Sequence, residues 1–139
     1  MTTVVSNSPL ETERIAANLS CGFVGGECIA LEGELGAGKT RFVRGLLMGL
    51  GGDAREVSSP TFVLLNIYTT GRLPVYHIDA YRIGSDDLEN LGFAELLQQG
   101  AIVVIEWASK VRSLLPAGRV EVTIAHVAQE QREICVDPA

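Results

Sequence analysis

The sequence predicts an α/β protein: a three-layer sandwich built on a mixed, mostly parallel sheet with an antiparallel C-terminal part. Three observations lead there. Two continuous aliphatic runs, Cys28-Ile29-Ala30-Leu31 and Ala101-Ile102-Val103-Val104-Ile105, have the character of central strands buried on both faces. A glycine-rich turn joins the first run to a segment of helical spacing. Near the C-terminus, residues 119–126 and 132–136 follow a strand period.

Taken in order, Ser8-Pro9-Leu10-Glu11 reads as a helix start. Ser8 can cap, Pro9 suits the first helical position and Glu11 falls where it can close a capping box. Ile15, Ala16 and Leu19 share a face, and the helix runs to about Ser20. The first aliphatic run follows and stops at Glu32-Gly33. From Lys39 onward Phe42, Val43, Leu46, Leu47 and Leu50 recur at helical spacing until Gly51-Gly52 ends the pattern. Phe62 to Tyr68 and Leu73 to Ile78 are β-rich runs joined by Thr69-Thr70-Gly71-Arg72, a hairpin or two neighbouring strands. Ser85 to Gln99 forms one or two short helices, with Ser85 as cap and acids in the first turn. The second aliphatic run ends in Glu106. Arg119 to His126 and Arg132 to Val136 then pair across the turn between them.

With 139 residues, 47% of them hydrophobic, the chain accommodates one domain, residues 1–139, and is too apolar for disorder. The net charge of −6 and the presence of only two lysines, Lys39 and Lys110, oppose the phosphate-dominated binding of a dedicated nucleic-acid reader. Neither DNA binding nor unaided RNA binding is expected. Cys21, Cys28 and Cys135 form no CxxC pair and predict reduced core thiols. No run approaches the ~18 apolar residues of a membrane span, and no leader pattern is present, so a cytoplasmic location is expected.

Chemistry concentrates at Gly33-Glu34-Leu35-Gly36-Ala37-Gly38-Lys39-Thr40, which fits G-x-x-x-x-G-K-[ST] between the predicted strand and helix. This context makes the fold a P-loop NTPase-like sandwich. Glycines let such a loop wrap with N–H groups inward, and the helix N-terminus adds partial positive charge toward an anion. Glu34, Leu35, Gly36, Ala37, Gly38, Lys39 and Thr40 are therefore the expected phosphate-binding residues. Lys39 would neutralise the β and γ phosphates of ATP, and the Thr40 hydroxyl would ligate Mg²⁺. Magnesium needs a further oxygen ligand from a neighbouring strand end. Glu106 is expected to hold the metal, directly or through water. Asp79, after Val75 to Ile78, would orient or deprotonate the attacking water or complete the metal shell. In Val57-Ser58-Ser59-Pro60-Thr61, a hydroxyl either senses a γ-phosphate or the segment is a turn with Thr61 capping the strand. His77 alone reads as a hydrogen-bonded sheet histidine. Trp107 reads as a packing residue and a fluorescent probe beside Glu106.

The P-loop motif, Ser59-Pro60-Thr61-Phe62, His77-Ile78-Asp79-Ala80-Tyr81-Arg82 and Ile105-Glu106-Trp107, in this order, resemble the TsaE (YjeE) family over about residues 8–135. That resemblance implies a bacterial ATPase of tRNA threonylcarbamoyladenosine biosynthesis. Its partners would be TsaD and TsaB, which transfer a threonylcarbamoyl group to adenosine 37 of tRNAs reading codons that begin with adenine. Hydrolysis would support or reset that complex, and tRNA would be met only through it. By the same resemblance Lys39 is the phosphate-binding lysine, Thr40 and Glu106 the Mg²⁺ ligands and Asp79 the acid required for hydrolysis. Thr61 is the switch-like threonine, and Trp107 matches the tryptophan after the metal-side acid. The adenine pocket would involve residues 8–12, Thr12 among them, and Arg132. Ala108 stands where the family often has proline, a position that touches no proposed ligand. Two other functions compete. A small-molecule P-loop kinase needs a lid and an acceptor pocket for which no segment is long enough. A nucleotide-dependent binding module would bind without significant turnover.

Overall fold

The two aliphatic runs lie side by side at the centre of the sheet. The computed structural model describes residues 1–34, 38–60 and 64–138, with the backbone alone at Ser85. Its strands are β1 (Thr2–Ser6), β2 (Cys28–Gly33), β3 (Leu65–Tyr68), β4 (Val75–Asp79), β5 (Ile102–Glu106), β6 (Val120–His126) and β7 (Arg132–Asp137). Its α-helices are α1 (Pro9–Ser20), α2 (Lys39–Gly49), α3 (Ser85–Asn90) and α4 (Phe93–Gln98), with 3₁₀ segments at Ala54–Glu56 and Ala108–Leu114. The strand order is β1-β7-β6-β2-β5-β4-β3. Strands β6, β2, β5 and β4 are parallel neighbours, while β1 on β7, β7 on β6 and β3 on β4 are antiparallel. Antiparallel pairing thus occurs at both margins of the sheet and is not confined to the C-terminal part.

Side chains alternate across the sheet, as the pleat requires. Ile29, Leu31, Ile102 and Val104 pack on one face with Ala16 of α1 and Phe42, Val43, Leu46 and Leu47 of α2. Cys28, Ala30, Val103 and Ile105 face the other way, onto Leu88, Phe93 and Val111. These two apolar layers complete the predicted sandwich. Helices α1 and α2 approach closely at Gly45 and Gly49, where an added Cβ would strike the carbonyls of Glu13 and Ala17 respectively. The Ser20 hydroxyl crosses the same seam and donates to the Leu46 carbonyl at 2.7 Å.

The register sets up one functional edge. Leu31 stands opposite Glu106, and Glu106 opposite Asp79, so β5 and β4 end together and β2 runs two residues further, to Gly33. In open parallel sheets ligands bind outside such carboxyl ends.

Several expectations need adjustment. Strand β1 carries too short and polar a pattern to announce itself, and it exists by pairing with β7 at the far end of the chain. Strand β3 begins only at Leu65, because Leu64 has φ of +68° and breaks the extended run. The cap of α3 is Gly84 rather than Ser85, with Asp87 accepting the Gly84 N–H at 3.1 Å. Gly92, at φ +74°, separates α3 from α4. Of the three cysteines only Cys28 is a core thiol; Cys21 is exposed and Cys135 half-buried. Among the described residues no helix is long and apolar enough to cross a membrane.

Candidate functional site

Helix α2 starts from Gly38, whose φ of +106° favours glycine strongly over a residue with a Cβ. The first residue of the helix, Lys39, is thereby turned over the sheet edge. Its Nζ lies 3.6 Å from Oε1 of Glu106, with both side chains nearly buried. The same ammonium sits 4.5 Å from the centre of the Trp107 ring, within cation–π range.

Glu106 ends β5 and uses its other oxygen differently. Oε2 accepts from Nε2 of the fully buried His77 at 2.5 Å. Nδ1 of His77 lies 2.8 Å from the Tyr68 hydroxyl, which is also 2.8 Å from the Ser58 carbonyl. With the Tyr68 hydroxyl donating to Nδ1, the neutral ring donates from Nε2. With both ring nitrogens protonated, Tyr68 turns its proton to Ser58 and the ring still donates. Burial pushes the Glu106 carboxyl up, but the hydrogen bond and charge of His77 and the charge of Lys39 outweigh it. The carboxyl is held below the usual carboxylate range.

Asp79 ends β4 and is likewise buried. Its Oδ1 accepts the Tyr81 N–H at 2.9 Å. Its own N–H donates to the Leu64 carbonyl, and the next N–H, of Ala80, donates to the Glu106 carbonyl, each at 2.9 Å. Leu64, which accepts the first of these bonds, at φ +68°, and Trp107, which follows the acceptor of the second, at φ +58°, are non-glycine residues in the left-handed region. Such conformations cost about 1–3 kcal/mol each and cluster at functional sites. Tyr81 packs on Trp107 with ring centres 5.0 Å apart, and Lys110 covers Tyr81 from outside at 4.4 Å.

Two cavities open on this edge. The larger, about 460 Å³, is bounded by Lys39, Thr40, Ser59, Asp79, Glu106 and Trp107, among others. The smaller, about 280 Å³, is bounded by Pro9, Thr12, Gly38, Arg41, Glu130 and Arg132. Gly38 and Arg41 line both, so the two spaces adjoin at the start of α2. The expected phosphate and metal residues Lys39, Thr40 and Glu106 therefore come together with Asp79. Thr12 and Arg132 line the neighbouring cavity. Their polar groups already have partners there: Thr12 bonds Ser6 at 2.7 Å, and Arg132 donates to carbonyls of the β6–β7 turn. Glu34 is exposed past the end of β2 and lines neither space. Leu35, Gly36, Ala37 and Thr61 lie outside the described residues. Sequence reasoning missed Arg41, which pairs at 2.9 Å with the buried Glu13 of α1, and the Tyr68–His77 link to Glu106. The histidine was visible as a sheet residue, but its partners lie on other strands and depend on register.

This fold and edge define a mixed α/β sandwich with a buried lysine–carboxylate pair at the ends of its parallel strands. The sequence profile of the family described as Threonylcarbamoyl adenosine biosynthesis protein TsaE matches residues 6–134. The chain belongs to the TsaE family, the proteins of tRNA threonylcarbamoyladenosine biosynthesis. It is similar to proteins named tRNA threonylcarbamoyladenosine biosynthesis protein TsaE from Treponema pallidum (strain Nichols) and Bacillus subtilis (strain 168). The first is 41% identical, with 95% of this chain and 97% of that protein covered. The second is 39% identical, with 91% of this chain and 79% of that protein covered. The crystal structure of YdiB from Bacillus subtilis matches with a TM-score of 0.78 at 32% identity, covering 96% of this chain and 82% of that one.

Proposed function

We propose that this chain is an Mg²⁺-dependent ATP hydrolase that acts in the cytoplasm and supports the TsaD–TsaB pair in modifying adenosine 37 of tRNA. The observation that carries the reading is Lys39. It is a buried cation at the first position of the helix after a glycine-rich turn, set against a strand-end carboxylate and facing a cavity. In this reading Lys39 exchanges Glu106 and Trp107 for the β and γ phosphates, aided by the partial positive charge of the α2 N-terminus. The 280 Å³ cavity beside Gly38, with Thr12 and Arg132 on its wall, takes the nucleoside end.

The donor set suits magnesium. Thr40 offers a hydroxyl, and Glu106 offers Oε1 alone, because His77 occupies Oε2. Among the described residues no three His, Cys, Asp or Glu side chains cluster around one point. This fits an ion that keeps waters and takes phosphate oxygens as ligands. When bound, Mg²⁺ neutralises charge on the phosphoryl oxygens. Asp79 is the group for orienting or deprotonating water, and Thr61 for sensing the γ-phosphate. The tRNA is held by the partners, consistent with this chain's net charge of −6.

Reconstitution tests the proposal: purified TsaD, TsaB, tRNA and the threonylcarbamoyl donor, with this chain, without it, or with Lys39→Ala. Repeated rounds of modification should require the wild-type chain. ADP and phosphate should form without any acceptor and faster beside TsaD–TsaB. Lys39→Ala should support neither and should abolish ATP-dependent quenching of Trp107. Phosphorylation of an acceptor would replace this reading with a kinase, and tight binding without turnover would replace it with a binding module.

A further inference from the structure

The two oxygens of Glu106 have separate duties. Oε1 faces Lys39 and the cavity, while Oε2 is taken by His77. His77 is fully buried and Tyr68 nearly so, leaving no room for water to compete for these bonds. The line continues through the Tyr68 hydroxyl to the Ser58 carbonyl, and the Ser58 N–H returns a bond to the same hydroxyl at 3.3 Å. Asn66 reinforces the far end, donating to the Ser58 carbonyl at 3.1 Å. The next residue, Ser59, lines the larger cavity. One unbroken series of hydrogen bonds therefore joins a loop on one wall of the cavity to the carboxylate on another.

We propose that His77 and Tyr68 are positioning residues that hold Glu106 to a single-oxygen presentation and tie that orientation to the loop at Ser58–Pro60. The inference rests on the reading of Glu106 as the metal-side acid. An unrestrained carboxylate can rotate and offer both oxygens to a cation. Magnesium demands near-octahedral geometry that such chelation distorts, so a carboxylate with one oxygen already engaged is matched to it. Partners that orient a metal ligand in this way are worth about 10–100-fold in metal affinity. Packing does not explain the arrangement by itself. A buried histidine and tyrosine are costly beside an aliphatic pair unless each polar atom meets its partner, and here each one does.

The test uses the full chain with Tyr68→Phe, His77→Gln and His77→Leu. Mn²⁺ uptake in the presence of ADP is read by electron paramagnetic resonance, and metal-free ADP affinity by calorimetry in EDTA. His77→Leu should weaken Mn²⁺ binding about 10–100-fold. Tyr68→Phe, which keeps the ring and its packing, should weaken it in the same direction by less. His77→Gln, whose amide can still donate to Glu106, should recover part of the loss. Metal-free ADP affinity should stay at the wild-type value throughout. Wild-type Mn²⁺ affinity in Tyr68→Phe, or a parallel fall in metal-free ADP affinity, overturns the inference. Because Tyr68→Phe preserves the packing, a failure of His77→Leu to fold does not remove the test. If the wild-type chain takes up neither ADP nor Mn²⁺, the hydrolase reading fails and this inference with it; a normal wild type with an unaltered Tyr68→Phe sinks the inference alone.

Discussion

Glu106 is held ionised by two neighbours, and that has a consequence for stability as pH changes. Its folded-state carboxyl lies below the usual carboxylate range. The stabilisation is therefore present above the unfolded value and is lost as pH falls through the folded one. In urea titrations at a series of acid pH values, Glu106→Gln should differ most from wild type near neutrality and converge on it in acid. Asp79 gives a different expectation, since its carboxylate is tied to the Tyr81 N–H and not to Lys39. Asp79→Asn should bind ATP normally yet hydrolyse it slowly in a single turnover; an unchanged rate would remove Asp79 from the mechanism. Lys39, Thr40, Asp79 and Glu106 were legible because each stands at a strand end or helix start that the sequence marks. The His77–Glu106 bond was not, because it spans 29 positions and exists only in the Asp79↔Glu106 register.

Between elements, the α1–α2 seam is the most demanding contact. Gly45 and Gly49 lie one helical turn apart on α2 and face the α1 backbone, which cannot yield as a side-chain tip would. Gly45→Val should overpack the seam and cost about 1–3 kcal/mol or more, seen as a lower urea midpoint with little change in slope. Since Lys39 and Glu13–Arg41 belong to the same two helices, the variant should also disturb the two cavities at the start of α2. Helix α1 was readable from Ser8, whose hydroxyl accepts the Glu11 N–H at 3.1 Å. Close approach at Gly45 was not readable, because glycine inside a helical pattern does not say what touches it. Strand β1 was hidden for a related reason: its pairing partner is β7, at the opposite end of the chain.

Across the whole molecule, the three thiols sample three depths. Burial pushes the Cys28 thiol up to about 12 against the opposing pull of Arg119, while Cys21 is exposed. The thiolate is the reactive form, so a thiol reagent should modify Cys21 first and Cys28 only as the sheet unfolds. Modification of Cys28 at the native rate of Cys21 would contradict the central placement of β2. The fold class followed from two aliphatic runs because a strand buried on both faces has no polar alternation to blur it, and β2 and β5 are indeed adjacent. The outer strands, half exposed, carried weaker signals: the β3–β4 and β6–β7 pairs were still legible as neighbouring runs joined by turns, whereas β1 on β7 was not.

Lys39 is already matched to an internal counterion within the fold. On the proposed reading, a triphosphate that drew the ammonium away would leave Oε1 of Glu106 without its cation in a poorly hydrated place, an expensive condition unless another cation succeeds it. Metal and nucleotide would thus be mutual sponsors: each should raise the other's affinity by the same factor, as thermodynamic reciprocity demands. On the proposed reading such a site would take either guest alone more weakly than it takes the two together.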